Sequence, residues 1–280
     1  MTLSPGLLLI FYCVAIAGFS LLGGLLPRWI RMTHTRTQVI MSLVSGLMLG
    51  VAFYHLLPHS TALLGGARGV DTAVWWLMIG LIVMLLLLRV FHFHQHDFSH
   101  EEEQHHHHHH EERGVAAAHG LSWMGIAFGL GLHTLIDGVA LGAMMHGGAT
   151  HGSLIGLGVF LAILLHKPLD AISIVTVMEA GGWSRSARMT TNLIFALMCP
   201  LGALMFYYGV DIIGGSEQVV AAALAFSAGA FICIALGDLL PEVHFHSHDK
   251  LKLSVAFLLG IALAFAIGSV EPPGVHLAAH

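Results

Sequence analysis

Eight stretches of about twenty mostly apolar residues follow one another along the chain, and a run of that length is what a helix needs to cross a bilayer. They lie at 5–26, 38–58, 73–93, 121–146, 152–179, 189–210, 217–242 and 252–270. Composition agrees: 56% of the residues are hydrophobic and 10% charged, with a mean hydropathy of +0.80. A soluble domain carries about 25% charged residues, so this chain could not cover a water-facing surface. A soluble enzyme is excluded. So is a nucleic-acid binder, because the net charge is -5 and no basic patch is present. Cys13, Cys199 and Cys233 stand singly in apolar runs, without the spacing of a disulfide framework or a thiolate zinc site. The expected fold is an all-α integral membrane protein, with residues 1–280 forming a single domain of eight transmembrane helices. The first run has nothing positive before it and exceeds a signal core, so it reads as a retained span.

Orientation follows from the eleven Lys and Arg residues. Arg28, Arg31 and Arg36 separate spans one and two. Arg89 and Arg113 flank the loop after span three, Arg185 and Arg188 follow span five, and Lys250 and Lys252 follow span seven. All of these belong to one side, against Arg68 alone on the other, which places both termini outside the cell membrane. Lys167 falls within a span, and an ionisable residue there is a functional candidate by default. The connection 94–120 holds His105, His106, His107, His108, His109 and His110 among Glu101, Glu102, Glu103, Glu111 and Glu112. Such a tract cannot build a core and reads as a disordered cytoplasmic loop. Its imidazoles suit weak binding of zinc, copper or nickel, with an inert linker or an inserted affinity tag as the plainer alternatives.

An internal repeat is visible at two span ends. Span two reads Ser45-Gly46 and ends Tyr54-His55-Leu56-Leu57-Pro58-His59, and span seven reads Ser227-Ala228-Gly229 and ends Gly237-Asp238-Leu239-Leu240-Pro241-Glu242. Aligning the Leu-Leu-Pro triplets sets His55 against Asp238 and His59 against Glu242. The two spans run in opposite directions, so this is an inverted repeat, relating spans one to three to spans six to eight around a central hairpin of spans four and five. His55 and His59 are then expected in an outer polar vestibule. Asp238 and Glu242 are expected in an inner one, with His244, His246 and His248 beyond them.

Spans four and five each carry a His followed four residues later by an Asp: His133 and Asp137, His166 and Asp170. Residues at that spacing share a helix face, one turn apart. In an antiparallel hairpin turning near residue 151, His133 is level with Asp170 and Asp137 with His166. Two imidazoles and two carboxylates at one depth can hold tetrahedral zinc, with ferrous iron, manganese, cobalt or cadmium as competitors. Pro168 has no N–H for the carbonyl of Leu164, so the helix is expected to kink beside this cluster.

The paired His-x-x-x-acid motifs, the Leu-Leu-Pro ends of spans two and seven and the His-rich loop together resemble the ZIP family of metal importers, across all eight spans. The most specific stretch is His133-Thr134-Leu135-Ile136-Asp137-Gly138. What the resemblance implies is a homodimer, without a cofactor, that moves zinc or related divalent ions toward the cytoplasm. It also implies a mobile unit of spans one, four, five and six sliding against a scaffold of spans two, three, seven and eight. Two positions depart from the pattern. Where many members have Asn after the span-four His and an acid after the span-five His, helping to bind a second metal, this chain has Thr134 and Lys167. A fixed ammonium repels a second dication, so one ion per site is expected.

Two other functions compete with the importer. A cation diffusion facilitator exporter also pairs intramembrane His and Asp four residues apart, but usually has six spans and a folded cytoplasmic tail. A zinc-dependent intramembrane hydrolase needs an open metal position and a general base, and neither a His-Glu-x-x-His motif nor a spare base is present.

Overall fold

The computed structural model describes residues 4–25, 34–92, 112–147, 155–212, 214, 217–239 and 250–270. Among them the regular structure is helical throughout, and eight helices are long and apolar enough to cross a membrane. In chain order these are α1 (Pro5–Leu25), α2 (His34–Val51, continuing to Leu63), α3 (Val70–His92) and α4 (Glu112–Gly147), then α5 (Leu157–Ala180), α6 (Arg185–Ile212), α7 (Glu217–Ile234, continuing to Leu239) and α8 (Lys250–Val270). All eight expected spans are present, and the chain is an integral membrane protein. In hydrocarbon each backbone polar group must be satisfied within its own segment, so an apolar run of this length folds as a helix. Large apolar side chains such as Phe11, Trp75, Leu197 and Phe265 accordingly remain exposed on the outside of the bundle.

One boundary differs from expectation. The loop assigned to 94–120 gives way to helix at Glu112, so 112–120 belongs to α4. Val115, Ala116, Ala117 and Ala118 follow directly, and alanine is the strongest helix former. The six-histidine tract, His105 to His110, lies outside the described residues. At the other end of the hairpin, α5 stops where Gly182 takes a φ of 71°, a left-handed conformation that glycine adopts at little strain. The Trp183 N–H then reaches back to the Met178 carbonyl, closing the helix end.

The helices pack as two sets. α2 lies along α8 and α3 along α7, while α4 pairs with α6 and α1 packs on α5 and α6. Close approach within the first set depends on four glycines. A Cβ at Gly46 would collide with the Phe257 carbonyl and one at Gly260 with that of Leu43. One at Gly229 would collide with the Leu77 carbonyl and one at Gly80 with that of Phe226. Small residues let helix backbones touch where lipid offers no hydrophobic drive for association. The two crossings correspond under the Leu-Leu-Pro alignment: Gly46 pairs with Gly229, and Leu43 with Phe226.

A second correspondence is conformational. α2 passes through a π-helical turn at Ala52–Leu56 and α7 through one at Ala235–Leu239. Each ends on the first leucine of its Leu-Leu-Pro triplet, so the two turns occupy the same register. π-turns are rare and usually appear as single insertions within α-helices. The packing makes a testable statement about the glycines. Gly80→Val and Gly229→Val should each destabilise the folded protein by about 1–3 kcal/mol through overpacking. Gly18→Ala, where nothing lies within 4 Å of the added carbon, should leave stability unchanged or slightly raised. Thermal unfolding in detergent checks both.

Candidate metal centre

α4 and α5 lie side by side, and their polar residues meet in the interior. His133, Thr134, Asp137, His166 and Lys167 are at most 4% exposed, and Asp170 is 9% exposed. The level pairs are those expected from the hairpin. His166 Nε2 lies 3.1 Å from Asp137 Oδ2, and His133 Nε2 lies 3.4 Å from Asp170 Oδ2. Two further separations close the ring: 3.4 Å from His133 Nε2 to Asp137 Oδ2 and 3.8 Å from His166 Nε2 to Asp170 Oδ2. A tetrahedral zinc ion has bonds of about 2.0–2.2 Å, which sets the ligand–ligand edge at about 3.3–3.6 Å. The four His–carboxylate separations fall near that edge. His133, Asp137 and His166 form the compact group, with ligand atoms all within 4.8 Å of one another, and Asp170 stands beside it.

Lys167 holds the two carboxylates. Its ammonium is salt-bridged to Asp137 Oδ2, stands 3.1 Å from Asp170 Oδ2 and donates a 3.0 Å hydrogen bond to Thr134 Oγ1. It does not snorkel to an interface; the whole side chain is enclosed. Its contacts reach one residue absent from the sequence reading: the ring of Phe195 on α6, with Nζ 5.6 Å from the ring centroid, within cation–π range. No spacing rule marks Phe195 among the aromatic residues of its span, so only the packing of α6 against α5 could find it.

The imidazoles differ in their support. His166 donates Nδ1–H to the Ala162 carbonyl at 2.8 Å and presents its ring to the edge of Phe231, 6.5 Å away at 81°. That bond fixes the ring so that Nε2 faces the cluster. His133 Nδ1 and Asp137 Oδ1 are buried without a hydrogen-bond partner, which is unusual for enclosed polar atoms and typical of a site with work to do. Pro168 follows directly, and α1 accommodates it at Gly23, where a Cβ would press into the Pro168 backbone. On α6, Asn192 donates its side-chain amide to the Leu21 carbonyl at 3.2 Å.

Of the expected vestibule residues, His55 and His59 both lie on α2. His55 is 2% exposed, its Nε2 donating to the Ala264 carbonyl at 2.9 Å while its ring lies against Gly158 at the start of α5. It forms a contact between α2, α8 and α5, where the absent Cβ at Gly158 lets the ring close in. His59 is half-buried a turn further along. Asp238 is carried by the π-turn of α7, whereas Glu242, His244, His246 and His248 lie outside the described residues.

Comparison with known proteins adds a family. The family model described as ZIP Zinc transporter matches residues 89–268, which include both His-x-x-x-Asp motifs. Zinc transporter ZIP9-B of Xenopus laevis is 32% identical over 183 residues, covering 62% of this chain and 54% of that protein. Zinc transporter ZIP10 of Homo sapiens is 30% identical over 150 residues, covering 54% of this chain and 17% of that protein. Zinc transporter zipt-7.2 of Caenorhabditis elegans is 28% identical over 142 residues, covering 50% and 30%. The chain spans about half the length of the ZIP9 relatives it matches and less of the others. A match over well above half of this chain sets aside the cation diffusion facilitator alternative: the chain belongs to the ZIP zinc transporter family.

Proposed function

We propose that this protein carries divalent metal ions, zinc foremost, across a cell membrane toward the cytoplasm through one mononuclear site made by His133, Asp137, His166 and Asp170. The observation that carries this reading is the buried convergence of His133, Asp137 and His166, with ligand atoms within 4.8 Å of one another, and of Asp170 Oδ2 at 3.4 Å from His133 Nε2. Nitrogen and oxygen donors of this kind also accept ferrous iron, manganese, cobalt and cadmium. The metal is cargo. It enters past His55 and His59, sheds its water onto the four donors, and leaves past Asp238, Glu242, His244, His246 and His248. The His105–His110 loop buffers the delivered ion.

Alternating access is provided by an elevator movement, with α1, α4, α5 and α6 as the moving unit and α2, α3, α7 and α8 as the scaffold. The two packing sets support this division. An inverted repeat is supported by the matched π-turns and glycine crossings, since α2 and α7 run in opposite directions if the eight spans alternate. The unit works as a homodimer with both termini outside.

Single Ala substitutions of His133, Asp137, His166 or Asp170 should abolish zinc uptake in proteoliposomes, with the protein still present in the membrane. Normal uptake by both Asp137→Ala and Asp170→Ala would falsify the assignment. The single-metal reading has its own check at Lys167. Replacing the ammonium by a carboxylate in Lys167→Asp puts an added oxygen beside Thr134 and removes the repulsion that keeps out a second dication. Metal counting by mass spectrometry should then find two ions at the centre of the variant and one in the parent, after subtracting loop-bound metal.

A further inference from the structure

Lys167 is among the largest fully buried side chains of the described residues, and its ammonium holds Asp137 Oδ2 and Asp170 Oδ2, which also face the two imidazole nitrogens. A dication among the four donors must bond to those same oxygens. Two cations that share both carboxylates repel each other strongly in an interior of low effective dielectric. The ammonium therefore has to give way when metal arrives. From this juxtaposition we infer that Lys167 is a tethered stand-in for the cargo: it occupies the carboxylates when the carrier is empty, yields them to metal, and thereby allows the unloaded unit to cross back. The inference rests on the metal-site reading above and adds the return half of the cycle to it.

Charge decides why a return step needs such a group. Without the lysine, the two ionised carboxylates make the empty unit doubly negative and the zinc-loaded unit neutral. The loaded form then crosses readily and the empty form is held back by the cost of carrying uncompensated charge through the membrane interior. With the lysine, the empty unit carries one negative charge and the loaded unit one positive charge. The two forms become comparable in magnitude, and neither direction is blocked.

The displaced ammonium also has somewhere to go. It already donates to Thr134 Oγ1, and the face of Phe195 lies within reach at 5.6 Å. A hydroxyl lone pair and an aromatic face together hold an ammonium without negative charge. Thr134 and Phe195 thus form the resting place of Lys167 while metal holds the carboxylates. This assigns Phe195 a positioning role: it acts on the metal through Lys167 and does not touch the metal itself.

The test separates net transport from exchange in proteoliposomes, with zinc as the probe. Net uptake needs the empty unit to return; exchange of labelled for unlabelled zinc, with zinc on both sides, does not. Lys167→Met should bind zinc at least about tenfold more tightly, since an internal competitor has been removed. Its net uptake should fall about tenfold or more while exchange stays within about twofold of the parent. Lys167→Gln should give the same separation and serves if the Met variant does not accumulate. Phe195→Leu should shift affinity the other way, weakening zinc binding severalfold, because the displaced ammonium loses its aromatic partner. Equal loss of net uptake and exchange in both lysine variants, or unchanged net uptake in either, overturns the inference. Failure of the underlying site reading looks different: Asp137→Ala would then retain zinc binding and uptake, whatever the lysine variants do.

Discussion

Two carboxylates and an ammonium enclosed in an apolar helical bundle set the conditions that the rest of the molecule meets. A lone buried carboxylate is strongly disfavoured, and a buried ion pair is tolerated only when its geometry is good and its remaining hydrogen-bonding capacity is met. Here Lys167 bridges Asp137 and Asp170 and reaches Thr134 with its third contact. The helices must bring these groups together to within hydrogen-bond distance from two different spans. Behind the cluster α4 also lies tightly on α6, where Gly138 and Gly202 allow each helix to lie against a backbone carbonyl of the other. Beside it, Gly23 of α1 lies against the Pro168 backbone.

The other helix set, α2, α3, α7 and α8, lacks the charged cluster and crosses by glycine contacts of the same kind, glycine against carbonyl oxygen. Hydroxyl groups add to this: Ser42 donates to the Leu253 carbonyl at 2.7 Å and Ser45 to that of Ala235 at 2.8 Å. The Ser45 bond ends on the first residue of the second π-turn, where the widened backbone presents a carbonyl for a side chain to satisfy. The two sets also pack on each other, α4 against α7 and α2 against α5.

Much of this was legible in the sequence for identifiable reasons. The thickness of a bilayer fixes the length of an apolar run, so the eight spans could be marked without any knowledge of packing. The four-residue spacing of His133 and Asp137, and of His166 and Asp170, fixes a helix face, and a hairpin brings two such faces level. The start of α4 was misjudged because a neighbouring histidine and glutamate tract outweighed a short alanine run. The π-turns carry no local signature, since Ala52–Leu56 and Ala235–Leu239 differ at their middle three residues and the backbone choice belongs to the packed helix. Phe195 and the closure of His55 on Gly158 depend on which helices become neighbours, which no single-span pattern encodes.

The contact between His55 and Gly158 also carries a ruler. It joins α2 of one packing set to α5 of the other, and the missing side chain at Gly158 is the notch that receives the imidazole. Along α5 the next residue on that line is Ala162, one turn on and nearly as small, and the one after it is His166. Moving α5 by two turns past a stationary α2, about 12 Å at the rise of an α-helix, would carry His166 to the place where Gly158 now faces His55. On the proposed elevator reading, the interval between Gly158 and His166 would set the stroke of the slide, with Ala162 midway along it.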